Sequence, residues 1–195
     1  MKINRELASK VCLVLIAGVL AFGSAAAQDK KRATEEDREK TKTKQAQAVS
    51  KAVYEKIQKA QDAVDAKDYR GALKTLNTLY NPDKLTEYEQ ANVLNYLGFV
   101  YYNMDDTKGA IRTYEKMLAI PSLEEQMAKQ ATYTVAQLLT MEEEYARALT
   151  TLNKWFMLET NPAPEPFILK AQVLYNLNRY KEMVEPIENA MRVAE

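Results

Sequence analysis

The chain has 195 residues, 47% of them hydrophobic, with 27 basic and 27 acidic side chains that cancel and no histidine. That supplies apolar material for one ordinary core and little beyond it. Balanced charge gives no basic surface for nucleic acid, and the missing imidazole removes the commonest general base and zinc ligand.

Lys2, Arg5 and Lys10 precede an apolar run from Val11 to Phe22, and Ala25-Ala26-Ala27 follows it. A basic head, a short apolar stretch and small residues together predict an export leader over 1–27, cleaved after Ala27, and hence a periplasmic location. The run is about 12 residues, short of the roughly 20 that cross a bilayer as a helix, so no membrane span is expected once the leader is gone. Cys12, the single cysteine, lies inside the run rather than at the cleavage point, which argues against a lipid anchor. Its removal leaves a chain that enters an oxidising compartment without a thiol. Loss of Lys2, Arg5, Lys10 and Glu6 takes the net charge from 0 to −2.

Residues 28–50 hold many charges, no aromatic and almost no large apolar side chain. The composition predicts a disordered charged tether, either a spacer or a partner-binding arm. From Ala52 the apolar spacing becomes helical, and no strand-like alternation of useful length follows. DYRGALKTL at Asp68–Leu76, DTKGAIRTY at Asp106–Tyr114 and EYARALTTL at Glu144–Leu152 repeat one pattern, with a weaker copy, RYKEMVEPI, at Arg179–Ile187. Ala72, Ala110 and Ala148 are 38 residues apart, and Met183 follows 35 later. A fixed period of this size predicts stacked helical hairpins over 51–195, with repeats at about 53–85, 86–120, 122–160 and 164–195.

Thr86-x-x-Glu89 and Ser122-x-x-Glu125 both read as capping boxes that begin the leading helices of copies two and three a turn early. That extra turn explains a period about 4 longer than the ordinary 34. The fourth copy begins through Asn161-Pro162-Ala163-Pro164-Glu165-Pro166, where prolines suit only a first helical turn, and its period shortens accordingly. Asp105 or Asp106 is placed to cap the second trailing helix. Lys56, Lys59 and Ala63 mark the first copy as worn. Pro186 is expected to kink or end the last trailing helix, and Val184, Ile187 and Met191 to lie partly exposed.

NYLGFVYYNMDDTKGAIRTYEKML at Asn95–Leu118 carries the clearest likeness to a known family. Gly98 and Ala110 are small where two helices cross, Leu94, Leu97 and Tyr101 surround the crossing, and Tyr114 is the trailing aromatic. Ala60, Ala136 and Ala171 stand in for Gly98 in the other copies. The region from about Ala52 onward resembles the tetratricopeptide repeat. The resemblance implies an all-α right-handed superhelix of antiparallel hairpins, about four repeats long, whose concave face is lined by leading helices. A narrower resemblance, through VYEKIQKAQDAVDAKDYRGAL, LNYLGFVYYNMDDTKGAI and LNKWFMLETNPAPEPFILKAQ, is to the periplasmic tetratricopeptide proteins associated with TonB–ExbB–ExbD systems. It implies an accessory role in TonB-type energy transduction and transport.

No nucleophile–base pair, phosphate-cradling glycine loop or metal-ligand spacing is visible, so no catalytic, cofactor-binding or metal residues are expected. Glu142-Glu143-Glu144 and Asp105-Asp106 fall in turns, where acids favour the following helix N-terminus. Trp155 and Phe156 fit a buried stripe better than a ligand platform.

The family register places Tyr54, Ile57 and Gln61 on the inner face in copy one. It adds Asn92, Asn95, Phe99, Tyr102 and Asn103 in copy two, Tyr133, Gln137 and Met141 in copy three, and Ile168, Gln172, Tyr175 and Asn176 in copy four. Amides and aromatics with hardly a charge predict a groove for an extended or helical segment of a partner protein. Gln61, Phe99, Gln137 and Gln172 stand where a carboxylate clamp would need cations. Packing of Tyr102, Tyr133 and Tyr175 between repeats is the competing reading of those tyrosines. The partner expected is a component of a TonB/ExbB/ExbD-type complex. An adaptor for a pilus, outer-membrane or cell-wall machine is the alternative, and self-association through the last helix is a further one.

Overall fold

The computed structural model describes residues 49–194; the leader expected over 1–27 and most of the tether expected over 28–50 lie outside that range. Eight α-helices make up this region: α1 Lys51–Asp65, α2 Tyr69–Leu79, α3 Glu87–Asn103, α4 Thr107–Leu118, α5 Glu125–Met141, α6 Tyr145–Leu158, α7 Pro164–Asn176 and α8 Val184–Ala194. A 3₁₀ turn at Tyr180–Met183 precedes α8. No strand occurs among the described residues. Each helix packs on the next, so α1/α2, α3/α4, α5/α6 and α7/α8 are hairpins stacked in chain order, the all-α tetratricopeptide-like solenoid that the period predicts.

Leading and trailing helices are joined the same way four times. Lys67, Asp105, Glu143 and Asn178 all have φ near 60°, at the left-handed position that closes a helix. In each turn two amides return to the leading helix: Asp68 N to Ala63 O and Lys67 N to Val64 O in the first, and Arg179 N to Leu174 O and Asn178 N to Tyr175 O in the last. None of the four is glycine, so the signal that normally announces this motif is absent from the sequence.

At the trailing helices, Asp68 Oδ1 accepts from Gly71 N at 2.9 Å and Asp106 Oδ1 from Gly109 N at 2.8 Å. Asp106, not Asp105, is therefore the cap of α4. The Thr86/Glu89 box forms as predicted, with Glu89 N donating to Thr86 Oγ1 at 3.2 Å and Thr86 N to Glu89 Oε2 at 3.0 Å. The Ser122/Glu125 box does not form. Helix α5 begins at Glu125, its cap position is Glu124, and no side chain caps it. Ser122 turns instead to the preceding repeat, where its N–H and hydroxyl both donate to Glu87 Oε2. Both α3 and α5 still run 17 residues against 13 for α7, which opens on Pro164.

Each inner leading helix packs on the trailing helix before it and the one after it. In α3 the buried Val93, Leu94, Leu97, Gly98 and Val100 share one broad arc, on which Gly98 meets Tyr114 of the hairpin partner α4. Leu138 and Val173 repeat Val100, and each is at most 2% exposed. The burial of Val93 and Val100 was not read from the sequence. In the last copy Pro186 sits in the first turn of α8, after the 3₁₀ segment, where its missing N–H breaks no helical bond. The trailing helix is thus interrupted, yet α8 still packs on α7.

Candidate functional site

Opposite its buried arc each inner leading helix turns toward solvent, and the structure places the inner-face residues as follows. On α3 the solvent side carries Asn92, Asn95, Phe99, Tyr102 and Asn103, all half-buried. On α5 it carries Tyr133 and Gln137, half-buried, and Met141, exposed. On α7 it carries Ile168, Gln172 and Tyr175, all exposed, with Asn176 half-buried beside them. Exposure therefore grows toward the last repeat. Ile57 departs from the expectation: it is 4% exposed in the core and offers nothing to a ligand. Its copy-one neighbours stay at the surface, where the Gln61 amide donates to the Tyr96 hydroxyl and so ties α1 to α3. Burial pushes the Tyr96 phenol above its usual range, against the opposing effect of the Gln61 bond.

The asparagines are more committed than a free amide. Asn92 Nδ2 donates to Tyr88 O, Asn103 Nδ2 to Phe99 O and Asn176 Nδ2 to Gln172 O, each at 2.8 Å and each one turn back on its own helix. One donor is spent, and the side chain is fixed with its carbonyl and second N–H left for other partners. Such fixation lowers the ordering cost of any hydrogen bond made later.

The tyrosines divide. The Tyr133 ring lies 5.0 Å from that of Trp155, which meets Phe156 at 5.2 Å, and Phe156 reaches Phe167 at 4.8 Å. This ladder joins α5, α6 and α7: Tyr133 packs on the buried Trp155 within the third hairpin, and Phe156 meets Phe167 of the fourth. Tyr102 packs against the core while remaining half-exposed. Tyr175 stands out at 58% exposure.

The acidic turns are occupied by ordinary ion pairs. Glu142 approaches Lys108 at 3.8 Å, and Glu144 binds Arg147, which also reaches Glu115 at 2.6 Å across the repeat boundary. No cluster of three or more potential metal ligands occurs among the described residues, and none of their helices is long and apolar enough to cross a membrane.

A family model described as "Anaphase-promoting complex, cyclosome, subunit 3" matches residues 103–190, somewhat under half of the chain. No curated protein matches it. Among solved structures, MamA of AMB-1 is similar at 13% identity, with a TM-score of 0.33 over 73% of this chain and 92% of its own. MamA of MSR-1 is similar at 12% identity, with a TM-score of 0.34 over 74% and 98%. Likeness this loose transfers neither partner nor function.

Proposed function

We propose that this protein is a non-enzymatic scaffold that takes up a segment of a partner protein along the uncharged arc of its leading helices. One observation carries the reading. The same solvent-facing arc recurs on α3, α5 and α7 with amides, aromatics and aliphatics and without a single ionised group at the named positions. Solvated surfaces ordinarily carry charge, and a long uncharged strip with pre-fixed amides suits a peptide backbone with apolar side chains. Two or three apolar anchors at about 1.5–3 kcal/mol each, less ordering costs, correspond to roughly micromolar affinity.

The partner sought first is a component of a TonB-type envelope complex. Its support is the sequence resemblance together with the leader over 1–27, which also supports a periplasmic site of action. A photo-crosslinking side chain at Phe99 or Gln172 in intact cells tests both parts. Adducts with TonB, ExbB or ExbD are expected, with none from Thr150 on the outer side of α6. Replacing Phe99 and Tyr102 by alanine should abolish capture while helicity survives; unchanged capture overturns the proposal.

A further inference from the structure

Charge is sorted over this molecule although its total cancels. The trailing helices α2, α4 and α6 carry seven basic side chains and one acid, all exposed. Acids gather instead in the turns and at the starts of leading helices, as Asp105, Asp106, Glu143 and Glu124 do. The cations recur at equivalent places. Arg70 and Lys74 in α2 correspond to Lys108 and Arg112 in α4, and Lys116 corresponds to Lys154 in α6. Steps of four residues put each set on one face of its helix. Neighbouring trailing helices meet along this face. Arg147 of α6 reaches Glu115 of α4 at 2.6 Å, and Lys116 of α4 lies 4.2 Å above the ring of Tyr80 at the end of α2.

Local stability does not account for the arrangement. Like charges at four-residue spacing, Arg70 with Lys74 and Lys108 with Arg112 and Lys116, destabilise a helix. Arg70 and Lys108 also stand in first turns, where the helix dipole favours acids. Arg70, Lys74, Arg112 and Lys154 form no ion pair among the described residues. On α1, by contrast, Lys51 sits 3.8 Å from Glu55 at the same spacing, as on an ordinary solvated helix.

We infer that the outer face of α2, α4 and α6 binds the surface of an anionic lipid bilayer. Cations one turn apart, about 6 Å, lie within the roughly 8 Å screening length of physiological salt, so their potentials add. Anionic headgroups diffuse in their plane and gather under cations scattered over three helices, whereas a folded acidic partner needs a fixed matching pattern. Met157, 77% exposed, follows Lys154 by three residues on the same face. It supplies an apolar side chain for the boundary between headgroups and acyl chains. Nucleic acid fits less well, because the exposed positions between the cations are Asn77, Thr78, Thr150 and Asn153, not rings on which bases stack. The face belongs to the trailing helices and leaves the arc of the leading helices to its own partner.

Flotation of the full chain with phosphatidylcholine vesicles, with and without about 40% phosphatidylglycerol, is the test. Binding should gain from the anionic lipid and fall steeply as salt is raised. Each surface cation contributes about fivefold, the equivalent of about 1 kcal/mol, so Lys74→Gln/Arg112→Gln/Lys154→Gln should weaken that gain about a hundredfold. Helicity should be unchanged, because the three sites are exposed. The charge-matched control Lys51→Gln/Lys56→Gln/Lys59→Gln on α1 should change binding by no more than about twofold. An environment-sensitive fluorophore on Met157→Cys, in a Cys12→Ser background, should shift to the blue on anionic vesicles, and the same label on Gln172→Cys should not. No gain from the anionic lipid, equal losses from the two triple variants, a label at position 157 that does not respond, or tighter binding to duplex DNA than to anionic vesicles at the same salt each overturns the inference. The Phe99/Tyr102 double substitution leaves vesicle binding unchanged, so loss of partner capture and loss of lipid binding are read separately.

Discussion

The ring of Tyr114 lies against the bare backbone of Gly98: a β-carbon there would stand 2.6 Å from ring atoms Cε2 and Cζ. The other copies solve the same crossing differently, with Ala60 and Leu76 in the first and Ala136 and Leu152 in the third at the equivalent positions. A bulky trailing ring thus goes with glycine, and leucine with alanine. Tyr114 is 2% exposed, so its ring has nowhere to retreat. Gly98→Ala should therefore lower unfolding free energy by about 1–3 kcal/mol, despite alanine's better helix propensity. The double variant Gly98→Ala/Tyr114→Leu should cost less than the two single changes summed. Urea unfolding of the four chains checks this, and strict additivity would locate the strain elsewhere.

Glu89 caps twice. Its Oε2 completes the Thr86 box, and its Oε1 accepts from Ser50 N at 2.9 Å, which ties the start of α1 to α3. Burial works to raise this carboxyl, yet the bonds from Ser50 and Thr86 outweigh it and hold the group below its ordinary 4.5. A depressed carboxyl adds stability that is complete above the unfolded value and lost as pH falls through the folded one. Glu89→Gln should cost about 1–2 kcal/mol at neutrality. The gap between wild type and variant should narrow as pH drops below 4.5 in thermal unfolding. A gap independent of pH would contradict the assignment.

Lys67 pays for a left-handed φ of 59° without being glycine. Lys67→Gly should stabilise by about 0.5–1 kcal/mol, the relieved strain exceeding the added freedom of the unfolded chain. Ala66→Gly, one residue earlier at φ −76°, should destabilise. The opposite signs of two adjacent glycine substitutions in denaturant melts are the diagnostic.

Ile168 and Tyr175 are 57% and 58% exposed, so truncating either to alanine should move stability by no more than about 0.5 kcal/mol while weakening partner capture. Tyr133→Ala removes a ring stacked on Trp155 and should cost about 1–3 kcal/mol. Equal stability losses at the three sites would mean that the arc is packing rather than a binding face.

Much of this molecule was legible as text. The 38-residue spacing of Ala72, Ala110 and Ala148 gave the hairpins, Thr86 and Glu89 gave a helix start, and Pro186 gave the break before the last helix. Each depends on residues within one turn of each other, or on a period counted along the chain, and such relations are present before any folding. The solvent arc of α3 could be placed from the same count, because a helix turns by a constant angle per residue.

What the residues do across repeats was decided only by the tertiary structure. Ser122 binds Glu87, 35 residues away, instead of capping α5; Ser50 finds Glu89; Gln61 finds Tyr96; and Ile57 sinks into the core. These outcomes depend on how far each hairpin is rotated against the one before it, which fixes the neighbours of every outward side chain. Local pattern sets the period of the array but not that rotation. The sum of packing against both neighbours does, since α3 is held between α2 and α4.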